Sequence, residues 1–360
     1  MADRSALVTG ATGYLGSHLV PALVAGGWKV RATGRRPAAE VRGLPAGVDY
    51  VGADLAGDDE LAPLLDGVTH VFHLAGASSS KSDQAEMERT NVIGTARLVG
   101  ASRSLRSGHA GRSLRSGHAG RAAGLERFVH MSSTSVYGEE EQLPLPVTED
   151  VEVHPSRGYG KAKWAAEQEV WAAAGAGFPA VVLRPVSVYG PGAVKLVASA
   201  ILDVAIERRA GLRQVAVWRE PVEQRLLHID DLVSATIHLA TADGAVGRAF
   251  NVTSGVYPSS LEVAAALASE LDMELELADH PDCGLAYEER ESVWKAMVAD
   301  GMTDDILLTK QRFRFMAKAN RNNRLSLDAL TATGFTPRHT DTRKGIAGAV
   351  AWYQANRWVI

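Results

Sequence analysis

Short β-rich runs alternate with longer stretches of helical periodicity through the first 185 positions. The runs Ala6–Thr9, Trp28–Ala32, Val48–Val51, His70–Leu74, Arg127–Ser132 and Ala180–Arg184 predict strands. Helical patterns fill the gaps, as at Leu15–Ala25, Asp83–Arg103 and Tyr159–Ala174. Such alternation predicts an α/β fold with a doubly wound parallel sheet, because parallel strands need long crossovers whereas a tight turn returns the chain antiparallel. After Arg184 the alternation weakens. Val194–Arg209 and Ser260–Glu270 still read as helices, and Leu226–Ile229 and Ala249–Val252 as short strands. The stretch from His280 to Arg324 mixes charges with aromatics such as Tyr287, Trp294, Phe313 and Phe315. We read it as part of a smaller mixed α/β domain closing over the carboxyl edge of the sheet, where open α/β sheets bind ligands. The expected division is residues 1–185 with 225–253 as the nucleotide-binding domain, and 186–224 with 254–360 as the substrate-binding domain.

Length agrees with two domains, since the chain has 360 residues and an average domain has about 150. With 46% apolar and 22% charged residues the chain is globular rather than disordered. A net charge of −4 gives a surface that does not draw polyanions, which argues against nucleic acid or anionic membrane as the main partner. The single cysteine, Cys283, excludes an intramolecular disulfide and a cysteine-built metal site. Trp171–Leu183 is the least interrupted apolar stretch, and Gly175, Gly177 and Pro179 break it; it is too short to span a bilayer. The strand-like Ser5–Thr9 leaves no room for a signal peptide, so the expectation is a soluble, cytoplasmic protein.

One segment departs from this order. Ser104–Arg112 reads SLRSGHAGR, and Ser113–Arg121 repeats it letter for letter. The block carries four arginines, four glycines and no acid, which predicts a flexible basic loop or a frayed helix extension. It is either a tolerated tandem duplication, since loops accept insertions cheaply, or a site for an anionic partner.

Candidate chemistry begins directly after the first strand, with Thr9-Gly10-Ala11-Thr12-Gly13-Tyr14-Leu15-Gly16. Glycines at this spacing allow a tight turn, close backbone approach to a pyrophosphate and close helix–sheet packing, and the helix N-terminus supplies N–H groups and a positive dipole end. NAD enzymes generally place an acid at the end of the second strand for the ribose 2′-hydroxyl. Here the run is Val30-Arg31-Ala32-Thr33-Gly34-Arg35-Arg36. Arg35 and Arg36 suit a 2′-phosphate, so NADP(H) is the expected coenzyme with NAD(H) a possible one; the plain alternative is a pair of solvated loop arginines. Asp54 is a candidate acceptor from the adenine amine or a helix N-cap, and Leu74-Ala75-Gly76 lets the dinucleotide lie against backbone. Asn91 is read as positioning a helix or a water near the site.

Tyr159 and Lys163 stand at i and i+4 on one helix face. A free phenol titrates near 10 and is a poor acid at neutral pH. The ammonium of Lys163, joined by an oxidised nicotinamide, is expected to bring Tyr159 toward the working range. Ser133 lies in the serine-rich exit of the fifth strand, where its hydroxyl holds the reacting oxygen beside Tyr159.

Taken together the motifs TGATGYLG (9–16), Asp54-Leu55, HVFHLAG (70–76), NVIGT (91–95), HMSSTSVYG (130–138), YGKAK (159–163), LRPVSVYGPG (183–192) and HIDDLV (228–233) resemble an extended short-chain dehydrogenase/reductase. The resemblance implies a Rossmann-type fold, and a catalytic set of Ser133, Tyr159 and Lys163 with Asn91 as a fourth member. It implies a coenzyme site drawn from Gly10, Thr12, Gly13, Tyr14, Leu15, Gly16, Arg35, Arg36, Asp54, Leu55, Leu74, Ala75, Gly76, Tyr159, Lys163, Pro185 and Val188. Lys163 would bind the nicotinamide ribose as well as tune Tyr159. The substrate set is Ser133, Thr134, Tyr159, Val186, Ser187 and Tyr189, with Tyr287 and Trp294 as further apolar walls. By analogy the protein would be a homodimer, and the repeated block departs from the family pattern.

Three features narrow the reaction. Dehydratases of this type carry an Asp-Glu pair where Thr134 and Ser135 stand, so dehydration is not expected. Arg35 and Arg36 point to NADPH, the usual reductant of biosynthesis, rather than to the retained NAD of epimerases. The stretch Leu307–Met316, then Arg324–Leu330, is similar to the 3β-hydroxysteroid dehydrogenase and β-ketone reductase branch, although Arg321 and Arg324 would also suit a diphosphate. The expected activity is NADPH-dependent ketone reduction of a small molecule. A nucleotide-sugar 4-epimerase or 4-ketoreductase is the nearer alternative, and a non-catalytic dinucleotide sensor the further one. His73, His130 and His228 are not in ligand spacing, so no metal is expected.

Overall fold

The computed structural model describes residues 4–78, 82–106, 124–138, 143–279, 285–306, 308 and 324–360. Seven strands build one sheet: β1 (Ser5–Thr9), β2 (Lys29–Gly34), β3 (Asp49–Gly52), β4 (His70–His73), β5 (Arg127–Met131), β6 (Ala180–Pro185) and β10 (Arg248–Val252). Their spatial order is β10-β6-β5-β4-β1-β2-β3, and every pairing is parallel. The expected doubly wound α/β sheet is therefore present, with strand ends within two residues of those read from the sequence. The order reverses between β1 and β4, the position where such sheets open a crevice at their carboxyl edge.

Successive residues of a strand face opposite sides, and the core follows that rule. Ala6 and Val8 of β1 join Val181 and Leu183 of β6 on one face. Leu7 joins Ala180 and Val182 on the other. Helix α1 (Tyr14–Ala25) and α6 (Ile229–Leu239) cover the first face through Leu19, Leu23, Leu232 and Leu239. On the second face lie α3 (Gly94–Arg106), through Leu98 and Val99, and α4 (Gly158–Ala174), through Val170 and Ala173.

The long helix expected over Asp83–Arg103 is interrupted. Asp83 caps α2 (Gln84–Glu88), a π-helical turn follows at Arg89–Ile93, and α3 resumes at Gly94. A π turn inserts one extra residue, and here it surrounds Asn91, whose side chain is committed to the loop after β4. Of the repeated block, Ser104–Arg106 end α3 and the remainder lies outside the described residues.

A second core is assembled from α5 (Val197–Arg209), β8 (Gln214–Trp218), α7 (Ser260–Glu270), β11 (Glu274–Ala278), α8 (Tyr287–Ala299) and α10 (Thr342–Ala355). β8 and β11 form a parallel pair absent from the sequence reading. The strand expected at Leu226–Ile229 is present as β9 (Leu226–His228), but it pairs with β7 (Ser187–Tyr189) rather than with the main sheet. Most of Leu307–Met316, and Arg321, lie outside the described residues, as does Cys283. No helix among the described residues is long and apolar enough to cross a membrane.

Candidate active site

The turn after β1 is built on backbone. Gly10 has φ +65°, its carbonyl accepts the N–H of Gly13 at 2.9 Å, and Gly13 then opens α1 with no side-chain cap. A Cβ on Gly10 would stand 2.8 Å from the amide nitrogen of Ala75, and one on Gly16 would stand 2.4 Å from the carbonyl oxygen of Gly10. Both positions therefore require glycine, and the first N–H groups of α1 are left facing the crevice. Thr9 ties the two central strands: its Oγ1 meets His73 Nδ1 at 2.8 Å and accepts the N–H of Ala75 at 3.2 Å. His73 in turn reaches Thr95 on α3. Burial holds the His73 imidazole down to about 3, so it packs neutral.

Two cavities flank this turn. The first, of about 640 Å³, is lined by Thr9, Gly10, Thr12, Thr33, Gly34, Arg35, Ala53, Asp54, Leu55, Ala56, Ala75, Gly76 and Thr90. The second, of about 700 Å³, is lined by Tyr14, Leu15, Leu74, Gly76, Ala77, Ser78, Met131, Ser132, Ser133, Tyr159, Lys163, Pro185, Val186, Val188, Ile229 and Leu232. Gly76 belongs to both, so they meet over the carboxyl end of β4.

On the rim of the first cavity Arg35 NH1 lies 2.5 Å from Glu86 Oε1. Glu86 also accepts from the Thr90 hydroxyl at 3.0 Å and from Arg89 Nε at 3.3 Å, and Arg89 reaches Asp54 at 3.0 Å. Slight burial would raise the Asp54 carboxyl, but the N–H of Ala56 and the Arg89 guanidinium outweigh it and hold the group below its ordinary range. Asp54 lines the cavity and accepts from the N–H of Ala56 and from Arg89. Arg36 is exposed and does not line the cavity; its carbonyl accepts the Tyr50 hydroxyl.

Tyr159 and Ser133 both line the second cavity. Ser133 Oγ accepts from both the amide and the hydroxyl of Ser135, at 3.2 and 2.7 Å, which leaves its own proton to donate. Lys163 is buried and donates to the Met131 carbonyl at 2.9 Å. Burial pushes its amine down to about 8, with Glu167 opposing. Burial raises the Tyr159 phenol, with the Ser133 hydroxyl opposing; the lowering expected of Lys163 joined by an oxidised nicotinamide belongs to the coenzyme-bound state.

Behind these groups lies a buried polar network that the sequence reading missed. Arg184 grips Glu167 through Nε and NH2, the latter at 2.7 Å, and Ser132 Oγ donates to the same carboxylate. Arg184 also donates to Tyr137, whose hydroxyl donates to Asn251. Glu167 stands one helical turn beyond Lys163, as Lys163 stands one beyond Tyr159, so α4 aligns all three.

Not every anticipated side chain reaches the cleft. Asn91 is buried, accepts from Ala77 N at 2.8 Å and donates to Ala77 O at 3.0 Å, and its Oδ1 stands beside Gly76 together with Lys163 Nζ. Thr134 turns its hydroxyl to the Pro185 carbonyl. Ser187 is half-buried in β7 and outside the cavity lining. Tyr189 is buried in the second core against α10, where a Cβ on Gly345 would meet its hydroxyl at 2.2 Å. Tyr287 and Trp294 lie on α8 away from the cavity. Arg324 is paired with Glu223. Conversely Thr33, Gly34, Ala56, Thr90, Ser78, Ile229 and Leu232 line the cavities and carried no sequence signal as site residues.

Among the described residues metal-capable side chains converge in one place, which spacing along the chain did not reveal. His228, Asp230 and His339 bring donor atoms within 4.8 Å of one another. The two imidazoles stack at 4.4 Å with 18° between planes, so their lone pairs run in nearly parallel planes instead of meeting at a point.

The donor set and the glycine cradle fit a dinucleotide lying across both cavities. Residues 6–253 match the NAD dependent epimerase/dehydratase family. The chain belongs to this family. The chain is similar over nearly its whole length to sterol demethylase protein B of Methylococcus capsulatus, 29% identical over 97% of this chain and 98% of that one. A 4-hydroxy-2-methyl-3-oxo-4-farnesyl-3,4-dihydroquinoline-1-oxide ketoreductase of Stigmatella aurantiaca is 33% identical over 51% of this chain, half of its own length. Among solved structures, MoeE5 in complex with UDP-glucuronic acid and NAD superposes with a TM-score of 0.68 at 26% identity, covering 98% of this chain and 99% of the other. As an epimerase/dehydratase family member with reductase and epimerase relatives, the protein is an enzyme of the NAD(P)-dependent oxidoreductase type.

Proposed function

We propose that the protein is an NADPH-dependent ketoreductase, reversible as an alcohol dehydrogenase, acting on a small biosynthetic ketone. The observation that carries this reading is the make-up of the second cavity. It presents a hydroxyl, a phenol and an amine against apolar walls from Leu15, Leu74, Val186, Val188, Ile229 and Leu232, and no carboxylate is among its described lining residues. Proton removal from a sugar carbon, the step a dehydratase needs, has no carboxylate base there, whereas delivery of one proton to a carbonyl oxygen has the Tyr159 phenol.

The turn from Gly10 to Gly16 would hold the pyrophosphate, the first cavity the adenosine, and Tyr159 with Lys163 the nicotinamide ribose. When bound, the nicotinamide supplies a hydride from C4. Ser133 donates its free proton to the ketone oxygen and fixes its position. Tyr159 gives that oxygen its proton as the carbon–oxygen double bond becomes a single bond, and the Lys163 ammonium stabilises the phenolate left behind. Arg35, on the lining of the adenosine cavity, supports NADPH as the preferred coenzyme.

A panel of ketones and nucleotide sugars, followed by the absorbance of NADPH and of NADH, tests the reading. Net oxidation of NADPH with a ketone, faster than that of NADH, is expected. A second reading, a nucleotide-sugar epimerase, is favoured by the likeness to MoeE5. Conversion of a nucleotide sugar with no net coenzyme consumption would establish it in place of the first.

A further inference from the structure

The acid that NAD enzymes carry at the end of the second strand is missing from β2, yet a carboxylate pairs with Arg35, the residue that follows that strand. Glu86 projects from α2 and pairs with Arg35 at 2.5 Å, although the two lie 51 positions apart. Its position is fixed on three sides, by Arg35, by the Thr90 hydroxyl and by Arg89, which itself leans on Asp54. Two cations and two anions therefore alternate along the rim of the adenosine cavity, and the charge of Arg35 is already answered.

We infer that Glu86 moderates the preference for a 2′-phosphate over a 2′-hydroxyl that Arg35 confers, by occupying Arg35 and by adding negative charge beside it. The inference rests on the first cavity's holding the adenosine half of the coenzyme. A 2′-phosphate must draw Arg35 from its present partner and tolerate a carboxylate beside it, whereas a 2′-hydroxyl leaves the chain of pairs intact. Since Arg35 and Glu86 are 60% and 29% exposed, the exchange needs only a rotamer change in water.

Calorimetric titration with 2′,5′-ADP and with 5′-AMP reads this out without catalysis. Glu86→Gln keeps the shape and removes the charge; melting temperature checks that the variant stays folded. It should bind 2′,5′-ADP about three- to tenfold more tightly than the wild type, and 5′-AMP within about twofold. In an Arg35→Ala background the same substitution should lose most of its effect. An unchanged or lower ratio of the two affinities in Glu86→Gln would overturn the inference, and so would a gain that persists in full without Arg35. Failure of the wild type to bind either nucleotide would instead overturn the coenzyme reading itself.

Discussion

Lys163 is the side chain whose environment says most about the chemistry. Its ammonium is buried, holds the Met131 carbonyl, and is pushed down to about 8 by burial. The sign is clear for a base with a lowered value: the ammonium is present below about pH 8 and is lost as pH rises through it. Ketone reduction should therefore fall above about pH 8, and Lys163→Met should flatten that limb while lowering kcat/KM by about a hundredfold or more, measured as a pH–rate profile. Gly16 makes a steric demand instead. Its missing Cβ would sit 2.4 Å from the Gly10 carbonyl and 2.6 Å from Ala11 Cα, both backbone. Gly16→Ala should force the turn open, costing about 1–3 kcal/mol in denaturant unfolding and weakening coenzyme binding by about tenfold or more. Such motifs were legible from sequence because each depends on neighbours within one turn. The pairing of Arg35 with Glu86 and the loss of Tyr189 to the second core were not, since both are set by contacts far apart along the chain.

Helix α4 organises the cleft because it carries Tyr159, Lys163 and Glu167 at four-residue spacing. Glu167 is completely buried and its partner Arg184 nearly so, and burial without a partner is costly for either. Replacing Glu167 by Ala would strand the guanidinium and free Ser132, the neighbour of Ser133. The expected loss is about 3–5 kcal/mol in equilibrium unfolding; a loss below about 1 kcal/mol would show that the pair does not organise the helix. The strands of the main sheet were readable because each is a compact apolar run bounded by turns. β8 and β11 escaped notice because they pair only with each other outside the main sheet, and β11 (ELELA) is built largely of residues disfavoured in strands. The expected unbroken helix over Asp83–Arg103 hid the π turn, since nothing in a periodic pattern announces one inserted residue; the demand comes from the amide of Asn91 reaching Ala77.

For the molecule as a whole, the reversal of strand order between β1 and β4 leaves a crevice, and everything with chemical potential is arranged along it. Glycine backbone and a helix end face its middle, an ion-pair chain lines one flank, and the phenol and amine line the other. The central claim is that Tyr159 acts as an acid on a substrate beside a coenzyme held chiefly by the glycine turn, the adenosine cavity and Lys163. Tyr159→Phe removes one oxygen and leaves the ring. Coenzyme titration and steady-state turnover of this variant, measured on the same preparation, test the claim most directly. The account predicts coenzyme affinity within about threefold of the wild type and turnover reduced by about a thousandfold or more. Turnover retained within tenfold would contradict it.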